Sequence, residues 1–380
     1  MKLVFFSNYL NHHQVLVADE LYKRLGNEYC FVATLPVNKT ELKGGADYSS
    51  RPYCILASQS EESHQKAIEL AKSAEVCVFG ASSQEYAVER SRQVNCGLSF
   101  EYGERWLKRG WLNLLSPTLR LWWKNYFLFY RHKPFYKLCC SGFVSADDQK
   151  LRAYINRHYK WGYFTLVDED FEVEASSHDA STSEITPLMW CGRFLKLKHP
   201  ELPVLMAAKL KEKGYNFRLD FYGSGSEENR TKKMVDSLGL NDVIRFYGAL
   251  PNEEILKEMR KHQIFLFTSD KNEGWGAVAN ESMANGCVVV ASDAIGSTPY
   301  LIEDGVNGFS FRSCDVDSLT EKVEWLLTHP SEVQKMRTMS ISNMRKYWNP
   351  KRAADNLLTL IHDLKEGCDT SIVVGPCSKA

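Results

Sequence analysis

Residues 264–281, IFLFTSDKNEGWGAVANE, place two carboxylates, Glu273 and Glu281, on either side of a glycine-bearing turn. Acids so placed suit recognition of a polyhydroxylated, phosphorylated ligand. Ile264 to Thr268 is short and apolar, as a buried parallel strand would be, and Ala277 to Ala284 reads as a helix ended by Asn285-Gly286. Backbone N–H groups of Gly274, Trp275, Gly276 and Ala277 then lack helical acceptors, and the glycines let a diphosphate approach them closely. Glu281, about one turn into the helix, can accept two hydrogen bonds from a vicinal diol such as a nucleotide ribose. Glu273 stands outside the helix, nearer the far end of the diphosphate, where it can reach the hydroxyls of a sugar.

Four further segments share this character. GRFLKLKHPE (192–201) brings Gly192, Arg193 and Lys198, and RLDFYGSGSE (218–227) brings Gly223 and Ser224. VIRFYGALPNEE (243–254) is a strand and loop, and CVVVASDAIGSTPYLIEDGVNGF (287–309) a strand, short helix and turn. Taken singly, each has an ordinary reading: acids capping a helix, surface cations, a glycine turn. In this order they resemble the donor-binding half of family 4 retaining glycosyltransferases of the bacterial surface-polysaccharide type, over most of 187–330. The resemblance implies the GT-B fold: α/β, with two Rossmann-like doubly wound domains facing each other across a cleft. It implies that Arg193 and Lys198 neutralise the donor phosphates, that Glu273 orients the sugar, and that Gly192, Gly223, Ser224, Gly274, Trp275, Gly276, Ala277 and Glu281 bind the donor. It also implies hexose transfer from a UDP- or GDP-sugar with retention, departure and attack lying on one face. The catalytic set would be Glu273, Arg193 and Lys198.

Composition fits such a chain. At 380 residues two domains are expected, and 44% hydrophobic residues with 47 basic and 47 acidic side chains exclude a disordered or generally nucleic-acid-binding protein. Eleven cysteines without C-x-x-C spacing read as reduced thiols in a cytoplasmic protein, neither a disulfide framework nor a zinc site. MKLVFFSNYLNHH is too briefly apolar for a signal peptide, and no run approaches a membrane span. Strands at 2–7, 30–35 and 75–80 alternate with helices at 14–25 and 64–74, which predicts a first domain over 1–175. The acidic, Ser/Thr-rich stretch 169–186 contains a linker at 176–186, followed by a second domain over 187–348. A helix at 349–366 would, in the GT-B family, cross back to the first domain. The tail 367–380 has no periodicity and is expected to be disordered.

The first loop, SNYLNHHQ, lacks the glycines of a dinucleotide-binding turn, which disfavours an NAD enzyme, and it also departs from the glycine-bearing first loop common in the family. Asn11, His12 and His13 stand at a strand end and suit acceptor or phosphate contact, while Asn11 or His12 could equally cap the next helix. The family's second glycine and acid are replaced by Ser297 and Tyr300, and its amino-domain histidine has no counterpart. Glu101, Glu104 or Arg105 in FEYGER could substitute, though a solvated turn is the plainer reading of those charges. No Asp-x-Asp motif stands at a strand end, so no metal is required. No cofactor is expected, the nucleotide sugar being a substrate.

Between Arg105 and Lys133 the chain carries seven Lys/Arg, no acid and four of its nine tryptophans. Basic and aromatic residues so mixed suit an anionic bilayer surface, while a core helix pair with cationic edges is the structural alternative. A lipid-linked saccharide acceptor at the inner face of the cell membrane, with the protein peripherally attached, is the resulting expectation. Two other functions compete: a GT-B nucleotide-sugar epimerase, and a catalytically degenerate GT-B scaffold.

Overall fold

The computed structural model describes residues 1–36, 47–173 and 185–380. Two compact units divide it, unit 1 comprising Met1–Thr165 with Tyr347–Ala380, and unit 2 comprising Leu166–Lys346.

Unit 1 is built on β1 (Leu3–Ser7), β2 (Tyr29–Ala33), β3 (Cys54–Leu56), β4 (Val76–Phe79), β5 (Leu98–Gly103), β6 (Phe135–Cys139) and β7 (His158–Lys160). All pair in parallel, in the order β3-β2-β1-β4-β5-β6-β7. Helices cover such a sheet on both faces, so β1, β2 and β4 are buried along their whole length, and their sequences are apolar runs without alternation. The chain direction through the sheet reverses between β1 and β4, which opens a ligand-sized crevice at the strands' carboxyl ends.

Unit 2 repeats the plan with β8 (Thr186–Cys191), β9 (Phe217–Tyr222), β10 (Ile244–Gly248), β11 (Ile264–Phe267), β12 (Val288–Ser292) and β13 (Gly308–Phe311). Their order is β10-β9-β8-β11-β12-β13, again parallel, with the reversal between β8 and β11. These are the two Rossmann-like α/β domains expected of the GT-B fold.

The first domain, expected to run to residue 175, ends at Thr165. Phe171 lies under the Arg260 guanidinium at 4.3 Å from its ring centre, which fixes 166–173 on unit 2. Of the linker 176–186, only Ile185 and Thr186 lie among the described residues, and Thr186 opens β8. The helix Pro350–Lys365 packs on the helix His12–Leu25 of unit 1, burying Leu357, Leu360 and Ile361, with Arg24 Nε donating to Asp355 at 2.6 Å.

The tail is ordered, contrary to expectation. Cys377 N–H donates to the Lys160 carbonyl at 2.7 Å and Lys160 N–H to the Ser378 carbonyl at 2.8 Å, so the tail pairs antiparallel with β7, and Cys377 and Ser378 are buried. One short segment satisfying an exposed sheet edge needs no periodicity to be held there.

Candidate active site

Three loops at the carboxyl ends of β8, β9 and β11 make the site of unit 2, and backbone contacts lock them together. Gly192 N–H donates to the Tyr222 carbonyl at 3.0 Å, and Phe194 N–H to the Ser224 carbonyl at 2.9 Å. Gly223 has φ +126°, and a Cβ there would lie 1.9 Å from the Gly192 carbonyl oxygen, so only glycine lets these two loops meet. The third loop is tied by Thr268, whose hydroxyl donates to the Lys198 carbonyl at 2.7 Å while accepting from Trp190 Nε1 at 3.0 Å. Asp270 N–H donates to the Leu197 carbonyl at 2.9 Å.

These ties bring Lys198 against Glu273. The two form an ion pair, each 15% exposed, and Ser269 Oγ donates to the same carboxylate oxygen at 3.0 Å. The sequence expected the cation and the acid to face different parts of a ligand; here they neutralise each other. Gly276, at φ +84°, lies where a Cβ would meet the Phe267 ring at 2.2 Å. The first helical hydrogen bond runs from Ala279 N–H to the Gly276 carbonyl, so the amides of Gly276 and Ala277 precede the helix ladder beside Glu273. Trp275 is fully buried, its indole N–H donating to Asn280 Oδ1 at 2.8 Å, so this expected donor-binding residue packs beneath the loop. Arg193 is exposed and makes no side-chain hydrogen bond to another described residue.

Glu281 sits in the helix Val278–Ala284, where burial pushes its carboxyl up to about 7 despite a hydrogen bond with Asn252. The thiol of Cys191, at the end of β8, is pushed up to about 12 by burial and then by the Glu281 charge, with Lys198 opposing. Cys191 closes β8, the strand paired with β11, and Glu281 lies on the helix that follows β11. Cys191, Thr268 and Ser269 escaped the sequence reading. Their only signal is position, immediately at the end of a buried strand.

In unit 1, Asn11, His13 and Glu104 line one cavity of about 500 Å³ at the carboxyl ends of β1, β4 and β5; His12 is not among its lining. Asn11 caps the first helix, accepting from His13 N–H at 3.0 Å. Tyr163 stacks on the His13 ring at 4.8 Å between centres and donates its hydroxyl to Glu104 at 3.0 Å. Burial, and next the His12 charge, hold His13 down at about 4, so its imidazole is neutral at pH 7. The solvated-turn reading of FEYGER is overturned. Glu101 accepts from Trp122 Nε1 and Lys137 Nζ, both at 2.6 Å, and from the Tyr154 hydroxyl at 2.8 Å, while Arg105 pairs with Asp147 at 3.1 Å. Acids at the end of an interior strand find buried partners that local sequence cannot reveal.

The basic-aromatic stretch divides. Trp122 is 2% exposed and belongs to the core, whereas its neighbour Trp123 is 41% exposed. Trp111 at 60% and Leu115 at 74% are exposed, and Leu112, Leu121 and Leu128 share that exposure. Among the described residues, no helix is long and apolar enough to cross a membrane, and no cluster of three His, Cys, Asp or Glu could hold a metal.

Solved structures share the whole architecture. Anabaena HepE in complex with UDP matches with a TM-score of 0.67 and 15% identity over 97% of this chain and 99% of that one. WaaG, a glycosyltransferase involved in lipopolysaccharide biosynthesis, matches with a TM-score of 0.59 and 14% identity over 93% and 98%. The fold is therefore GT-B. Residues 182–347 match the family model of group 1 glycosyl transferases. Among curated relatives, the poly(glycerol-phosphate) alpha-glucosyltransferase of Bacillus subtilis is 28% identical over 35% of this chain and 19% of its own length. The D-inositol 3-phosphate glycosyltransferase of Corynebacterium aurimucosum is 30% identical over 36% and 33%. The chain spans less than half the length of these relatives, and its sequence likeness to them is a likeness to glycosyltransferases.

Proposed function

We propose that the chain is a retaining, metal-independent glycosyltransferase that moves a hexose from a UDP- or GDP-sugar to a lipid-linked saccharide in cell-surface polysaccharide biosynthesis. The observation that carries this reading is the convergence of Lys198, Glu273 and Glu281 on the strand ends of unit 2, on loops matching the group 1 model. Breaking the sugar–diphosphate bond puts negative charge on the leaving oxygen and positive charge on the anomeric carbon. Lys198, Arg193 and the amides of Gly276 and Ala277 offer fixed positive potential to the diphosphate. Lys198 exchanges its carboxylate partner for phosphate, which releases Glu273 to the sugar hydroxyls, while Glu281 accepts from the ribose. Solved neighbours described as bound to UDP and to UDP-glucose support this donor class.

Trp111, Leu112, Leu115, Leu121 and Leu128, exposed among Arg109, Arg120, Lys124 and Arg131, support attachment to an anionic bilayer at the cytoplasmic face. The epimerase reading needs an acid/base set of its own and gives no role to that surface.

A thermal-shift panel of UDP- and GDP-sugars tests the donor. A ligand bound only by the native state raises its stability by mass action, so the matched donor should give the largest shift at fixed concentration. A chain that no nucleotide or nucleotide sugar stabilises would be the scaffold.

A further inference from the structure

His199, the residue after Lys198, stands where three loops of unit 2 meet: its own after β8, that of Asp270 after β11 and that of Cys314 after β13. Its imidazole Nδ1 is 2.7 Å from a carboxylate oxygen of Glu201, the first residue of the helix Glu201–Glu212, and its Nε2 is 3.4 Å from one of Asp270. The Cys314 sulfur lies 3.6 Å from the same Nε2. The charge of Arg230, on the helix Glu228–Ser237, also acts on Glu201. An ionised carboxylate only accepts hydrogen bonds, so one facing each ring nitrogen calls for a hydrogen on both, which makes the ring an imidazolium.

Asp270 carries this tie into the turn of Glu273. Its Oδ1 accepts from Asn272 N–H at 2.8 Å, and its carbonyl accepts from Glu273 N–H at 3.0 Å. Through Asp270 the ring is bonded to the turn that presents Glu273, and through the chain it adjoins Lys198. A neutral ring has one N–H to give. The shorter contact, to Glu201, keeps it, and the bare Nε2 then repels the Asp270 carboxylate and can accept from the Cys314 thiol instead. The hydrogen bond to Glu201 pushes the ring's titration above its ordinary 6.5, burial opposes it, and Asp270 adds to the rise. The tie is therefore complete below pH 6.5 and is lost as pH climbs through the higher folded value.

On the transfer reading given above, we propose that His199 is a positioning residue whose charged ring holds the Lys198 loop to the Glu273 turn, and that transfer slows when the ring becomes neutral. Donor affinity is held elsewhere and should not follow the ring.

Histidine and amide NMR on the full chain, titrated with base, tests the tie directly. The His199 Cε1–H signal should inflect above pH 6.5, and the amides of Ser269 and Glu273 should shift with the same midpoint. His199→Asn suits the left-handed backbone at φ +48° and cannot be charged, so in that variant the amide shifts of this midpoint should vanish. Turnover is then read as nucleotide released to water, from whichever of UDP-glucose, UDP-galactose and GDP-mannose gives the largest thermal shift. Donor is kept saturating, which removes the effect of Glu281 on affinity. Wild-type turnover should fall about tenfold along the His199 titration, whereas His199→Asn should start about tenfold lower and lack that limb. The thermal shift with donor should be alike in both. An inflection at or below 6.5, loop amides that ignore it, or an alkaline limb that persists in His199→Asn would overturn the proposal. If no nucleotide sugar stabilises the protein or is turned over, the transfer reading falls instead, and the NMR titrations still decide whether the ring ties the two loops.

Discussion

The sheet of unit 2 repeats the strand order of the first six strands of unit 1, with the same reversal beside the first strand of each, yet the two carry opposite chemistry at their carboxyl ends. In unit 2 the strand ends hold glycines, exposed Arg193 and a partly exposed Lys198–Glu273 ion pair. In unit 1 they hold aromatic rings and charges committed to buried partners. The scaffold supplies a crevice in each case, and the side chains set the chemistry of each.

The comparison can be broken most severely in unit 1. Trp122→Ala should cost about 3–5 kcal/mol and unfold or precipitate the protein, because it removes a core ring and a donor to Glu101. Trp111→Ala with Leu115→Ala should leave the melting temperature near wild type and reduce sedimentation with anionic liposomes even at low salt. Normal liposome binding by that folded double variant would remove the membrane surface.

Next comes Lys198. Lys198→Ala should lower turnover by about 10²–10³-fold, with nucleotide affinity less affected, because leaving-group charge is greatest in the transition state. Glu273→Ala should also depress transfer but should not weaken UDP or GDP, since it frees Lys198. The two effects should be far from additive, and a double-mutant cycle showing independence would contradict the partner exchange.

Glu281 gives a smaller and pH-dependent effect. Glu281→Ala should weaken nucleotide binding by about 1.5–3 kcal/mol. Its folded carboxyl titrates near 7 against an ordinary value of 4.5, so the native state holds a proton there that the unfolded chain releases. The stabilising influence is therefore complete below about pH 4.5 and lost as pH rises through 7. Glu281→Gln should match wild type in melting temperature near pH 4.5 and exceed it at pH 8, while wild-type nucleotide affinity rises through pH 7 and that of the variant stays flat. A constant offset between the two melting curves across this range would contradict the burial of the acid. The smallest expected effect is none: EDTA should leave initial transfer rates unchanged, and loss restored by Mg²⁺ or Mn²⁺ would show that the cations of unit 2 are insufficient.

Sequence patterns made β1, β2 and β4 of unit 1 and β11 of unit 2 legible because buried parallel strands are written as short apolar runs such as LVFF and IFLF, whereas β3, β5, β6 and β7, with mixed or very short sequences, were not. The loops of unit 2 were legible for a similar reason, since glycines at 223 and 276 answer local demands of backbone and space. The pairing of Lys198 with Glu273 was not, because 75 positions separate them and only the fold closes that distance. Trp122 and Trp123 looked alike as neighbours. Successive helix positions point about 100° apart, so one entered the core and the other did not. The cavity of unit 1 draws its wall from residues between Ser7 and Tyr163, a spread that no local pattern reveals.

The return of residues 347–380 to unit 1 bears on how the molecule is made. Unit 2 is one unbroken stretch and can fold as soon as it has left the ribosome. Unit 1 is begun first and finished last: its opening helix waits for Pro350–Lys365, and the edge at β7 waits for Cys377. At ordinary synthesis rates of about 5–20 residues per second, that wait lasts roughly 10–40 s, during which the helix His12–Leu25 has no cover from the closing helix. Nascent unit 1 is thus the unit whose packing surface stays open longer during synthesis.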